Sequence, residues 1–298
     1  MKIYGKSDSA KVCTDAIVDL NDIPSDFSAE TVAQAEKIAF ATISEKDISY
    51  RSDLRNELIF TIDGEDAKDL DDAISVKKLR CGWELGVHIA DVSHYIKMNS
   101  QIDKDAFVRG TSVYFPDRVI PMLPEAISNG ICSLNPGEDK LTFSAVINLD
   151  EKGEITDYKF KKTVINSKVR GVYSEINKII CGTKEVPLLE KYSPVMNSIF
   201  FAKELSDILT ENSKRRGVLD ISTTESKFIL DETGKCIDVM PRTQGYSERM
   251  IENFMIAANS AVAMYARSLN LPFVYRVHEN PDPDKLVCLA RLAGALGL

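Results

Sequence analysis

Three runs between Leu58 and Val92, LIFTI, DAISV and WELGVHIADV, carry short β-rich patterns broken by acidic or glycine-containing turns, which predicts the beginning of a sheet. Two hairpins are predicted further on, at Asp150-Glu151-Lys152-Gly153 after LTFSAVINL and at Asp231-Glu232-Thr233-Gly234 after SKFIL. In each, alternating apolar residues flank the turn and the glycine supplies the positive φ that such a loop needs. Helical spacing appears after Ser28 (Val32, Ala35, Ile38, Ala39) and after Ser247 (Ile251, Met255, Ala258, Val262). A third helix is predicted from Asp282, with Pro283 in its first turn and Leu286, Leu289, Ala293 and Leu296 as its apolar stripe. That stripe runs into Leu298 unfinished and without a C-cap, so the domain is expected to be incomplete at its C-terminus. Residues 1–50, proline-interrupted before the first helix, read as a lead-in or linker. There is no internal repeat or low-complexity tract.

At 298 residues and 44% apolar content, the chain is long enough for one large domain or two small ones, and neither disorder nor a collagen-like fibre fits. The N-terminal MKIYGKSDSA has no apolar stretch after its lysines, and no run approaches the length needed to cross a bilayer, which predicts a soluble, unsecreted protein. Six cysteines without a C-x-x-C pair suit reduced thiols, most of them expected to be small packing residues. A net charge of −8 argues on its face against a polyanionic partner. Negative charge gathered at a metal site, with basic surface elsewhere, is nevertheless compatible with a nuclease. Two basic stretches exist, Lys159, Lys161, Lys162, Lys168 and Arg170, and then Lys214, Arg215 and Arg216; the plain reading of each is a solvated face.

The segment FTIDGEDAKDLDDAISV, residues 60–76, changes that picture. Asp63, Glu65, Asp66, Asp69, Asp71 and Asp72 fall within ten positions between two strand-like runs. Carboxylates so crowded repel one another unless a cation sits among them. A hard divalent ion fits, because Mg²⁺ takes one or two carboxylates, keeps several waters and leaves room for phosphate oxygens. Two such ions roughly 4 Å apart could act on a phosphodiester together. An EF-hand is excluded, since no register gives D-x-[DN]-x-[DN]-G with a glutamate at its twelfth position. A metal-binding D-x-D of the sugar-nucleotide transferase kind can be drawn from Asp69 and Asp71, and a solvated acidic loop is the bland alternative.

The string TIDGEDAKDLDDA resembles the signature of the RNB catalytic domain of the RNase II/RNase R family. The likeness continues in order through HIADVSHYI, RGTSVYFPDRVIPMLPEAISNGICSLNPGEDKLTFS, VINSK, RGVLDI, IENFMIAANSAVA and RVHENP, and is strongest to the RNase R branch. It implies an α+β fold, a mixed β-sheet with surrounding helices over residues 51–298. It also implies a processive, hydrolytic 3′→5′ exoribonuclease that degrades single-stranded RNA to nucleoside monophosphates with Mg²⁺, Mn²⁺ being able to substitute. By the same resemblance Asp63, Asp69, Asp71 and Asp72 would be the catalytic metal-site residues. Tyr114 in SVYFP and Phe228 in SKFIL would contact bases near the 3′ end, Tyr173 would lie beside the last nucleotide, and Glu252 in IENFM near the terminal ribose. A cytoplasmic protein with no membrane association, monomeric at full length, is the accompanying expectation.

The residues themselves agree with part of this. Aromatic faces hold single-stranded bases without regard to sequence, and a polar group on a 2′-hydroxyl distinguishes RNA from DNA. His88, Asp91 and His94 stand close enough in sequence to be drawn as a metal triad, but in an alternating strand His88 and Asp91 point to opposite faces, so the segment reads as structural. Neither a Ser-His-Asp set nor a P-loop is present. Family members carry oligonucleotide-binding barrels before the domain, an S1 barrel after it, and H-F-G-L and S-P-I-R-[RK]-Y stretches that are not found here. Reduced activity of these residues by themselves is therefore expected, and a catalytically dead RNA-binding module and a D-x-D glycosyltransferase are the rival readings.

Overall fold

The computed structural model describes residues 4–5, 9–218, 225–242, 244–277 and 279–297. It opens with α1 (Ala10–Leu20), α2 (Ala29–Ala39), α3 (Glu45–Ser49), and the strands β1 (Ser52–Asp53), β2 (Thr61–Asp63), β3 (Asp72–Lys78) and β4 (Trp83–Ala90). After α4 (Val92–Tyr95), α5 (Gln101–Arg109), β5 (Val113–Tyr114), β6 (Val119–Ile120) and a π-helical turn at Ile127–Ile131 come the long hairpin β7 (Asp139–Leu149) and β8 (Ile155–Asn166). Then follow β9 (Arg170–Val172), α6 (Tyr173–Ile180), α7 (Val186–Tyr192), α8 (Met196–Arg215), β10 (Glu225–Leu230), β11 (Cys236–Arg242), α9 (Tyr246–Ser268) and α10 (Pro283–Ala295). The fold is α+β, as the resemblance implies.

The organising element is a five-stranded sheet in the order β1-β8-β7-β4-β3, antiparallel except for the parallel β1–β8 edge. Opposite residues share a face in such a ladder, and the period of two separates two environments. One face carries Ile74, Val76, Trp83, Leu85, Val87, Ala145, Ile147 and Leu149, buried against Ile176, Ile199, Leu205, Met250 and Phe254 of α6, α8 and α9. On the other face a polar ladder crosses the sheet. His88 Nδ1 meets Ser144 Oγ at 2.7 Å and its Nε2 meets Ser75 Oγ at 3.2 Å, while Thr163 Oγ1 lies 2.6 Å from both Ser144 Oγ and Thr142 Oγ1. A second apolar cluster, with Ile59, Leu70, Ala73, Ala90, Ile127 and Leu134, packs beside it.

The three runs from Leu58 to Val92 become β2, β3 and β4, and both glycine hairpins form, with Gly153 and Gly234 at φ 78° and 79°. Other expectations shift. The stretch before Ser28 contains α1, capped by Ser9, whose only buried residue is Val18. In α2 the packed face is Thr31 and Ala35 with Ile38, whereas Val32 is exposed; Thr31 Oγ1 donates to Asp105 of α5 at 2.6 Å, which ties residues before 50 to the sheet-bearing unit. Only Cys132 is a packing cysteine, the other five being exposed thiols.

The described chain divides into two units, Met1–Ala261 and Val262–Leu298. In the second, Asp282 caps α10 by accepting from the Asp284 N–H at 2.9 Å. The C-terminal end of α10, expected to be uncapped, closes with the Leu296 N–H bonded back to Leu292 and Ala293. Its Leu286, Leu289 and Leu296 are exposed. No helix among the described residues is long and apolar enough to cross a membrane.

Candidate active site

The acidic loop is closed by strand pairing at its base. Phe60 and Ile74 exchange backbone bonds of 3.1 and 2.9 Å, so the chain leaves at Asp63, the last residue of β2, and returns at Asp72, the first of β3. β2 pairs in parallel with β9, matching Thr61 to Arg170, Ile62 to Gly171 and Asp63 to Val172. That pairing requires glycine at 171, where a Cβ would fall 2.4 Å from the Thr61 carbonyl oxygen. The β9 strand turns directly into α6, so Tyr173 sits where strand becomes helix beside Asp63. Tyr192, fully buried, fixes this junction by accepting from the Val172 N–H at 3.1 Å and donating to Glu175 at 2.5 Å.

Electrostatics draws the four predicted aspartates into one system. Burial, then the charge of Asp72, pushes Asp63 up to about 7; Arg170 opposes the rise, and Asp71 and Asp69 add to it. Burial and the Asp71 charge push Asp72 up to about 6. Asp71 is raised by burial and by Asp69. Oδ2 of Asp63 is buried with no hydrogen-bond partner. A buried carboxylate oxygen left unpaired costs free energy, and repelling neighbours add to that cost.

Among the described residues, no group of three or more histidine, cysteine, aspartate or glutamate side chains stands converged on a point where an ion could be held. The donor set nevertheless fits Mg²⁺, which is bound through one or two carboxylates and completes its octahedron with water and phosphate oxygens. The orphaned Asp63 oxygen, within the repulsive reach of the Asp72, Asp71 and Asp69 charges, is the feature a cation would relieve.

A cleft of about 640 Å³ opens beside the loop, lined among others by Asp69, Asp71, Ile89, Tyr114, Ser128 and Asn129. Tyr114, 72% exposed, presents its ring there without being part of a core. Tyr173 stands near Asp63 and Asp72, and its hydroxyl is pushed up to about 12 by burial and by those carboxylates, so it remains a donor at neutral pH. Phe228 lies on the β10–β11 hairpin opposite Val239, 48% exposed. Glu252 is exposed on α9. The acid of this helix that faces Tyr173 is Glu248, one turn earlier: Ser247 Oγ donates to the Tyr173 carbonyl at 3.0 Å, and Asn177 Nδ2 to Glu248 at 3.3 Å. Sequence reasoning passed over Glu248 because it precedes the motif IENFM; its i, i+4 relation to Glu252 was the available signal.

The histidine segment is structural. The strand ends at Ala90, so Asp91 is outside the alternation; it precedes α4 and binds Arg51 at 2.6 Å with both side chains almost wholly buried. His88 is buried in the polar ladder, and burial pushes it down to about 3.

The RNB domain family matches residues 51–295. Over its whole length the chain is 44% identical to ribonuclease R 1 of Lactococcus lactis, covering 36% of that protein, and 45% identical to ribonuclease R of Thermotoga maritima, covering 42% of it. Among solved structures, Mycoplasma genitalium RNase R in complex with ribose-methylated single-stranded RNA superposes on all of the chain with a TM-score of 0.93 at 34% identity, the match spanning 46% of that chain. The chain thus spans less than half the length of these relatives. Its fold, its ordered motifs and these likenesses agree that it belongs to the RNB domain family, on the ribonuclease R side of it.

Proposed function

We propose that this chain carries the catalytic centre of a metal-dependent, hydrolytic 3′→5′ exoribonuclease that degrades single-stranded RNA to nucleoside monophosphates in the cytoplasm. The observation that carries the reading is the closed acidic loop, with Asp63, Asp69, Asp71 and Asp72 electrostatically coupled and one buried carboxylate oxygen left without a partner. These four aspartates would hold Mg²⁺, or Mn²⁺ in its place, and the chemistry so supplied is Lewis acidity at the scissile phosphate.

The chain's own residues do the rest. Tyr114 offers an exposed ring face to a base in the cleft that leads to Asp69 and Asp71, and stacking on it would not depend on sequence. Tyr173 keeps its proton beside Asp63 and Asp72 and can donate it in a hydrogen bond to the last nucleotide. Glu248 and Glu252 lie on one side of α9, where a carboxylate accepts from a ribose hydroxyl; that contact would separate RNA from DNA. Phe228 is assigned to base contact on its aromatic exposure and the family resemblance. Since the relatives are more than twice as long, turnover by these residues alone is expected to be slower than in a chain carrying the relatives' remaining segments.

The test pairs wild type with Asp71→Asn. Millimolar Mn²⁺ should raise the melting temperature of the wild-type chain, because a ligand selective for the folded state stabilises it, and the shift should vanish in the variant. In a form extended to the relatives' length, Asp71→Asn should nearly abolish 3′ shortening of a labelled single-stranded RNA while RNA binding is retained, since affinity is spread over many contacts. Wild-type turnover by the variant would refute the site.

A further inference from the structure

We infer that Arg170 is a positioning residue for the acidic loop: its guanidinium holds the backbone carbonyls that set where Asp69 and Asp71 point. The inference rests on the metal-site reading above and goes beyond it by naming the group that shapes the site without touching the reacting atoms.

Residues 64–71 have little structure of their own. Their one internal backbone bond among the described residues runs from the Ala67 N–H to the Gly64 carbonyl at 3.2 Å. Yet the loop is bound from both sides. Nη2 of Arg170 donates to the Glu65 carbonyl at 2.7 Å and to the Ala67 carbonyl at 2.8 Å, with the Gly64 carbonyl next at 3.5 Å. Two N–H groups meeting two close carbonyls use the donor capacity of that nitrogen in full. On the far side Ser133, fully buried, donates to the Lys68 carbonyl at 2.8 Å and accepts from the Leu70 N–H at 3.1 Å. The carbonyls of residues 65, 67 and 68 and the amide of 70 are therefore all claimed, and Asp69 lies between the two clamps.

Arg170 is brought to the loop by the sheet. It opens β9 opposite Thr61, and the close approach at Gly171 lets β9 press against β2, so the guanidinium reaches over the point where the loop leaves Asp63. The two N–H groups of Nη2 are held at fixed angles in the guanidinium plane, an orientation that a freely rotating lysine ammonium does not keep.

A competing explanation makes opposite predictions. If Arg170 served only as a counter-charge to the aspartates, removing it would delete a cation from beside a cation site, and a divalent ion should bind more tightly. If it positions the loop, removing it should weaken the ion, as loss of groups that orient metal ligands typically does by about ten- to a hundredfold.

The experiment is Mn²⁺ titration of the 298-residue chain followed by electron paramagnetic resonance of the free ion, on wild type, Arg170→Met, Arg170→Lys and Asp71→Asn. Hydrogen exchange is measured in parallel on peptides covering residues 64–70 and the β4–β7 core. We expect Arg170→Met to weaken Mn²⁺ about tenfold or more, and Arg170→Lys to weaken it by a smaller factor despite keeping the charge. Exchange should quicken in the loop peptides of both while the core peptides keep wild-type protection. Mn²⁺ affinity in Arg170→Met equal to or tighter than wild type would overturn the inference. Should Arg170→Met not fold, wild-type affinity and wild-type loop exchange in Arg170→Lys would overturn it equally. A wild-type chain that binds no Mn²⁺, or an Asp71→Asn chain that binds it normally, would instead overturn the metal-site reading on which this one stands.

Discussion

Replacing Arg51 by methionine breaks a buried ion pair whose loss can be sized from the structure. Nη2 of Arg51 lies 2.6 Å from Oδ2 of Asp91, with the two side chains 0% and 4% exposed. Nη1 donates to the Thr142 carbonyl at 3.2 Å, binding the pair to the β7–β8 ladder. Methionine fills much of the same volume but leaves Asp91 with Ser93 at 3.0 Å and Lys162 at 3.8 Å. Removing one partner of such a pair costs about 3–5 kcal/mol, because the other charge stays buried. For a unit of this size each kcal/mol corresponds to about 2–4 °C, so the melting temperature should fall by about 6–20 °C. Burial pushes Asp91 up, but the bonds from Arg51 and Ser93 and the Arg51 charge together hold it below the usual carboxylate range. Its contribution is thus fully present above the unfolded carboxylate value of about 3.9 and lost as pH falls through the lower folded one, so the gap between wild type and Arg51→Met should narrow below about pH 4. The double variant Arg51→Met/Asp91→Leu should recover much of the loss, since an apolar pair avoids the stranded charge. Urea unfolding followed by circular dichroism measures all three chains. A loss below about 1 kcal/mol in Arg51→Met at pH 7, the range of an exposed pair, would refute the reasoning. The pair matters for the site because the preceding residue, Ala90, donates its N–H to the Asp71 carbonyl at 3.0 Å.

Two further outcomes are expected. Gly171→Ala puts a Cβ 2.4 Å from the Thr61 carbonyl, a backbone atom that cannot swing aside, so it should cost about 1–3 kcal/mol or more and weaken Mn²⁺ binding by displacing the strand that ends at Asp63; an unchanged melt and affinity would contradict the close approach. His88, held down at about 3 against about 6.5 when unfolded, favours the folded state fully above pH 6.5 and progressively less below it, by up to about 1.4 kcal/mol per pH unit; the stability of wild type should therefore fall more steeply from pH 6.5 to 4.5 than that of His88→Gln, and parallel curves would count against a buried neutral imidazole.

What the sequence made legible is what it keeps contiguous. The four aspartates lie within ten positions between two alternating runs, so their mutual repulsion can be read before any fold is known. The hairpins were equally local, each announced by a turn glycine between apolar runs. The helix α1, which buries a single residue, was not. The strand alternation drawn through His88 and Asp91 failed for a different reason: β4 stops at Ala90, and a chain leaving a sheet no longer obeys the period of two.

The groups that hold the site in shape lie far from it along the chain, and nothing in their own neighbourhoods marks them. Arg170 sits in a basic run whose plain reading is a solvated face, and only the parallel β2–β9 pairing carries it to carbonyls more than a hundred residues earlier in the chain. Ser133 is one serine among many until its hydroxyl is seen between Lys68 and Leu70. Glu248 gains its place from the docking of α9 on α6 through Ser247 and Asn177. The asymmetry has a physical origin. A metal site needs several like charges close together, and a short loop is the cheapest way to gather them in sequence. Holding that loop against its own repulsion needs donors from outside it, since its own backbone carbonyls cannot satisfy one another. Those donors must come from packed elements, so their identity is a property of the fold. Motif reading should therefore find carboxylates such as Asp71 more readily than clamps such as Arg170, and measuring ion affinity in Arg170→Met beside Asp71→Asn compares the two kinds of residue directly.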